Sequence, residues 1–144
     1  MLVQQILKSK STGGVTTVAA NAQVSDAAEI LSSRRIGTVV VSGDGKKIDG
    51  ILSERDIVRE IGKRGAGCLN ESVADMMTAK IVTCASGDTA DHVLELMTKG
   101  RFRHIPVVEN DEMIGLISIG DVVKARLAEL SMEKDALEGM IMGH

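Results

Sequence analysis

Two four-residue patterns carry the chemistry that this sequence offers. Ser53-Glu54-Arg55-Asp56 and Ser118-Ile119-Gly120-Asp121 each place a hydroxyl three residues before a carboxylate. A carboxylate accepts from two adjacent hydroxyls at once, such as those of a ribose, and charge-assisted bonds of this kind are stronger than neutral ones. A serine at a helix start can also donate to a phosphate or ribose oxygen, and the backbone N–H groups beside it favour an anion. The same spacing is a helix capping box, in which the serine accepts from the third amide and the acid reaches back. The two roles are compatible, because a capped helix start still presents its carboxylate.

A second cluster is Arg101-Phe102-Arg103-His104. Arginine offers phosphates a planar fork of donors. Read as a strand, alternation sends Arg101 and Arg103 to one face and Phe102 and His104 to the other. Phosphate contact is expected of Arg103 and His104 ahead of Arg101, with a solvated edge and a core histidine as the plain alternative. The equivalent stretch, Ile36-Gly37-Thr38-Val39, carries no cation, although Arg34 and Arg35 precede it. Arg55 fits a phosphate contact or a surface salt bridge equally well. An apolar slot for a base would draw on Val18, Val39, Val82 and Ile105, with backbone near Thr17 and Val82. Each of these valines, taken singly, reads first as core.

Other reactive sets are missing from the pattern. Cys68 and Cys84 form no Cys-x-x-Cys and have no histidine at metal-ligand spacing, so two free thiols in a reducing cytoplasm and no metal are expected. His92 and His144 stand alone, and Met76, Met77, Met97, Met132 and Met140 suit core or dimer contacts. Gly13-Gly14 and the glycine-rich stretch 62–67 lack the strand-to-helix context of a phosphate loop. No acid/base pair is readable, which argues against an enzyme.

The elements that position these residues occur twice. Gly50-Ile51-Leu52-Ser53-x-x-Asp56-Ile57-Val58 returns as Gly115-Leu116-Ile117-Ser118-x-x-Asp121-Val122-Val123, a spacing of 115 − 50 = 65 residues. The same spacing pairs Asp26 with Asp91 and Leu31 with Leu96; Val39-Val40-Val41 pairs with Ile105-Pro106-Val107 at 66, implying one residue inserted between helix and strand. Each half reads as a short strand (about 16–18 and 81–83), an amphipathic helix, two strands around a polar turn, and a helix opening at Ser-x-x-Asp. The turns are Gly43-Asp44-Gly45 and Asn110-Asp111. Residues 72–77 read as a short helix, and the last helix is long. The expected divisions are 1–66, first repeat with an N-terminal segment; 67–130, second repeat; and 131–144, a C-terminal helical extension.

Composition agrees with a small soluble α+β module. Of 144 residues, 44% are hydrophobic, enough for an aliphatic core around the single aromatic, Phe102. The net charge of −3 and the lack of stacking rings argue against nucleic-acid binding. No apolar run is long enough for a membrane span.

Gly-Ile-Leu-Ser-x-x-Asp, Val73-Ala74-Asp75-Met76-Met77-Thr78, Arg103-His104-Ile105-Pro106-Val107 and Ser118-x-x-Asp121, on a duplicated β-α-β-β-α order, resemble the tandem CBS-domain pair. The likeness runs from about Val3 into the last helix, and these segments look like those of the small stand-alone bacterial proteins of that family. It implies pseudo-twofold repeats with ligand clefts between them, a flat homodimer, and ligands such as AMP, ADP, ATP, NAD(H) or S-adenosylmethionine. It assigns the ribose to Asp56 and Asp121. One implied site groups Ser53 and Asp56 with Thr78, Val82, Arg103 and His104; the other groups Ser118 and Asp121 with Thr17, Ile36, Gly37 and Thr38. The implied role is a ligand sensor acting on a separate, unknown protein. A structural dimerisation module with empty clefts remains the alternative.

Overall fold

The computed structural model describes residues 1–10 and 14–142; Gly13 and His144 lie outside the described residues. The chain is α+β and divides into two compact units. One, here the Asp56 unit, holds Gly14–Val82 and Asn110–Ile114; the other, the Asp121 unit, holds the N-terminal residues, Thr83–Glu109 and the chain from Gly115 on.

In the Asp56 unit, β1 (Thr17–Val18), β2 (Thr38–Val41) and β3 (Gly50–Ser53) form a sheet in that order. β1 runs parallel to β2, with Thr17 opposite Val40, and β2 antiparallel to β3, with Thr38 opposite Ser53. All four residues of β2 are buried, as the unbroken Thr-Val-Val-Val run requires of a strand covered on both faces. Helix α2 (Val24–Arg34) buries Val24, Ala27 and Leu31, one face at helical spacing. These residues join Val39, Val41, Leu52, Ile57, Cys68, Val73 and Met76 in one core. The β2–β3 connection is longer than a tight hairpin, so β3 begins only at Gly50, five residues past the Gly43-Asp44-Gly45 turn. Asp44 shapes it by accepting from the N–H groups of Lys46 and Lys47, at 2.8 and 2.9 Å. Helix α3 (Glu54–Arg64), a 3₁₀ turn (Ala66–Asn70) and the short α4 (Val73–Met76) complete the unit.

The Asp121 unit repeats this plan. Helix α5 (Ala90–Gly100) buries Ala90, Val93 and Met97. Strands β4 (His104–Glu109) and β5 (Glu112–Ser118) pair, and α6 (Ile119–Ile141) follows. The turn residues between these strands, Asn110 and Asp111, which group with the Asp56 unit, have φ of 51° and 63°, the two left-handed residues a type I′ hairpin demands. The core gathers Val3, Ile6, Cys84, Ala90, Val93, Met97, Ile105, Val107, Ile117, Val122 and Ala125.

The two plans match in a register that differs from the sequence expectation. Val24, Ala27 and Leu31 correspond to Ala90, Val93 and Met97, an offset of 66 rather than 65. Both helices end on a left-handed arginine, Arg35 and Arg101, again 66 apart. No residue is inserted between helix and strand; the offset drops to 65 in the shorter second hairpin. Pairing Leu31 with Leu96 fails because burial, not residue type, sets which side of the helix faces the core. The expected strand at 81–83 is also absent. Residues 83 and 84 match Thr17 and Val18, and a single parallel bridge between Cys84 and Val107 stands where Val18 pairs with Val41.

Helix α1 (Val3–Ser9) precedes the first repeat in the chain but packs in the Asp121 unit. It is the counterpart of α4, which precedes the second repeat and packs in the Asp56 unit. Val73 and Ala74 donate to the carbonyls of Ala22 and Ala20; Val3 and Gln4 donate to Asp88 and Ser86, the residues 66 further on. Each unit is thus closed by the helix that leads into the other repeat.

Candidate functional site

Both Ser-x-x-Asp patterns form complete capping boxes. Ser53 Oγ accepts from the Asp56 N–H at 3.2 Å, and Asp56 Oδ2 accepts from the N–H and Oγ–H of Ser53 at 3.0 and 2.9 Å. Ser118 Oγ accepts from the Asp121 N–H at 3.1 Å, and Asp121 Oδ2 accepts from the Ser118 N–H at 2.9 Å. The cap reading of the motif is therefore realised at both helix starts. Neither carboxylate is turned out to bulk water: the side chains are 14% and 24% exposed.

The surroundings differ. Asp56 Oδ1 accepts from Arg59 Nη2 at 2.9 Å, an i,i+3 pair whose arginine is half exposed. The Glu54 N–H donates to the Gly37 carbonyl at 2.9 Å, tying α3 to the entrance of β2. Thr78 exchanges backbone bonds with Ile51, its N–H donating at 2.9 Å and its carbonyl accepting at 3.0 Å. Ser53, Asp56, Gly37 and Thr78 are thereby held along one edge of the unit. Gly50 permits this, since a Cβ there would lie 2.5 Å from Met77 Sδ and 2.9 Å from the Thr78 carbonyl. Arg55 lines, with Glu54, Val58 and Arg59, an open groove of about 410 Å³ on α3.

At Asp121 the cation is Lys10. Its Nζ lies 2.8 Å from Asp121 Oδ2 and donates to the Leu116 carbonyl, also at 2.8 Å. Burial pulls the Asp121 carboxyl up, but the Lys10 hydrogen bond, the Ser118 N–H and the Lys10 charge together hold it below the ordinary carboxylate value. The Ile119 N–H donates to the Arg103 carbonyl at 2.8 Å, so the residue just before β4 is held beside the start of α6. The strand starts only at His104. Arg101 is the left-handed helix cap, and strand alternation does not apply to 101–103.

The apolar candidates divide. Val18, Val39 and Ile105 are core residues, while Val82 is 43% exposed. Thr38 is buried, and Thr17, Ile36 and Gly37 are half-buried around β1 and β2. Sequence reasoning missed Arg59 and Lys10. The spacing Asp56-x-x-Arg59 was a readable signal. Lys10 had none, since 111 residues separate it from Asp121. Among the described residues, no group of three His, Cys, Asp or Glu could hold a metal ion. No described helix is long and apolar enough to cross a membrane. Both cysteines are buried and unbridged, and burial pushes the Cys84 thiol up to about 12.

Known proteins share this architecture. The CBS domain model matches residues 5–63 and again 73–128. The mitochondrial CBS domain-containing protein CBSX3 of Arabidopsis thaliana is 33% identical over 98% of this chain and 72% of its own length. Further Arabidopsis relatives are matched over only 22 to 23% of their lengths. The crystal structure of a CBS-domain containing protein from Agrobacterium tumefaciens is 43% identical, covering 88% of this chain and 99% of that one, with a TM-score of 0.82. A CBS domain protein from Pyrobaculum aerophilum, complexed with AMP, is 25% identical over 92% of this chain and 99% of its own, with a TM-score of 0.77. With two family matches that together span most of its length, and with the duplicated helix-start carboxylates in place, this chain belongs to the CBS domain family.

Proposed function

We propose that this chain is a non-catalytic regulatory module that binds an adenine nucleotide, of the AMP, ADP, ATP or NAD(H) type, through Asp56 and Asp121. The single observation that carries the reading is the duplicated capping box. It fixes a carboxylate at each helix start, keeps it from bulk water, and leaves lone pairs for the hydroxyls of a ribose. The AMP complex of the Pyrobaculum relative supports the ligand class. Ser53 and Ser118 complete the ribose contacts, Arg55, Arg103 and His104 serve the phosphates, and the backbone near Thr17, Ile36, Thr78 and Val82 serves the base. The module works as a homodimer, and its ligand acts by its differential affinity for two states that a separate protein reads. Two free thiols fit the reducing cytoplasm.

Calorimetry with AMP, ATP and NADH tests this. Wild type is expected to bind at least one of them, and Asp56→Ala to weaken that binding at least tenfold. Absence of binding by every adenine nucleotide overturns the proposal. A second reading, a dimerisation module with empty sites, is favoured by the exposed apolar residues of α6. A dimer that binds none of the three nucleotides would select it.

A further inference from the structure

The face of α6 opposite the core carries a regular seam. Val122 and Ala125 are buried against the unit. On the other side Val123, Leu127, Leu130, Leu137 and Ile141 are 43, 62, 49, 59 and 84% exposed. With Lys134 they fall at steps of four, three, four, three and four residues, the a/d repeat of a coiled coil. The seam continues past residue 128, where the match to the second CBS domain ends. The helix is already formed and anchored by its first turns, so pairing it costs little further ordering.

We propose that this seam is the docking surface for α6 of a second copy, and that the two helices run antiparallel. The inference rests on the homodimer reading above and fixes how the helices meet. Charge decides the direction. In a parallel pair Lys134 would face the partner's Lys134 in the seam, and Glu133 would lie beside the partner's Glu138. In an antiparallel pair Val123 meets the partner's Ile141, Leu127 the partner's Leu137, and Lys134 only the partner's Leu130. Lys124, exposed on the flank, then reaches the partner's Glu138, and symmetry makes this ion pair twice. Glu133 meets the partner's Glu133 near the twofold axis, and each Lys134, whose Nζ lies 3.8 Å from Glu138 of its own helix, shares its charge between that carboxylate and this pair. A single polar seam residue that sets register and direction is a recognised device of paired helices.

Native mass spectrometry and cysteine cross-linking of the full chain test this together. Antiparallel pairing puts Ser131 beside the partner's Ser131, so Ser131→Cys should be joined into covalent dimers by a short bismaleimide. Lys134→Cys should not oxidise to a dimer. The buried native thiols supply little background. Lys124→Glu should raise the dimer dissociation constant about tenfold, and the double variant Lys124→Glu/Glu138→Lys should restore it. Circular dichroism on each variant confirms folding, which these exposed positions are not expected to disturb. A dimer in which Lys134→Cys links and Ser131→Cys does not overturns the antiparallel arrangement. A dimer indifferent to all these changes overturns the α6 seam while leaving the homodimer standing. A wild-type monomer removes both.

Discussion

Asp56 and Asp121 occupy the same place in two repeats and cap their helices alike, yet they are answered by different cations. Asp56 takes Arg59, one turn along its own helix. Asp121 takes Lys10, from a segment at the other end of the sequence, and Lys10 is held a second time by the Leu116 carbonyl. Matching the leading segments places Lys80 where Lys10 stands, but no ion pair joins Lys80 to Asp56 among the described residues. The lesson is that a duplicated motif preserves the backbone job, the cap, more faithfully than the side-chain environment. The exchange of α1 and α4 between units makes this possible, because the segment that follows each of these helices comes from outside the repeat it lies against, and only the one after α1 supplies its carboxylate with a cation.

The largest expected contrast lies in the glycines that admit those borrowed segments. A Cβ on Gly50 would meet Met77 Sδ at 2.5 Å and the rigid Thr78 carbonyl at 2.9 Å. A Cβ on Gly115 would meet Leu7 Cδ2 at 2.6 Å and Cδ1 at 3.1 Å, both on a side chain that can rotate. Overpacking against backbone cannot relax, so Gly50→Ala should cost about 3 kcal/mol and Gly115→Ala about 1 kcal/mol. Urea denaturation of the two variants measures the difference; equal costs would mean that the segments are not held as unequally as these contacts require.

Much of this was legible before any coordinates. Thr38–Val41 reads as a strand because all four residues are β-branched, and it is one, buried along its whole length. Asn110-Asp111 reads as a tight turn because both residues tolerate positive φ, and both adopt it. The helix starts at Ser53 and Ser118 were readable from the capping spacing. What escaped depends on the rest of the molecule. Ile81-Val82-Thr83 has strand-like residues but lies one step before the place where the sheet accepts a partner. Arg101-Phe102-Arg103 alternates like a strand but is the unwinding end of a helix. The sequence neighbours of α1 suggest that it closes the first repeat, and only packing reveals that it closes the second. Local propensity is written in a few adjacent residues; partners 60 or more residues apart are not.

The next contrast concerns the carboxylates themselves. Removing either leaves the capping serine in place but loses the reciprocal bond from its N–H, which costs about 1 kcal/mol. Asp121→Ala also strands Lys10, 28% exposed, where Asp56→Ala releases an arginine that can turn to solvent. Asp121→Ala should therefore destabilise by about 2 kcal/mol and Asp56→Ala by about 1 kcal/mol. Thermal or urea unfolding of both variants decides; a larger cost at Asp56 would contradict the ranking of the two ion pairs.

The smallest contrast isolates the cations and adds pH. Arg59→Met removes an exposed i,i+3 pair and should cost about 0.3 kcal/mol. Lys10→Met removes a partly buried pair and should cost about 1 kcal/mol near neutral pH. The Asp121 carboxyl is held low in the folded chain, against burial, mainly by Lys10 and the Ser118 N–H. A depressed carboxyl stabilises the fold at pH above its unfolded value of about 3.9, and that contribution disappears as pH falls through the lower folded value. Without Lys10, burial still raises the carboxyl while its chief opponent is gone. The acid-unfolding midpoint of Lys10→Met should then move to higher pH than that of wild type. Acid titrations followed by circular dichroism would show this, and a midpoint unchanged by Lys10→Met would mean that the lysine does not govern Asp121 in the folded chain.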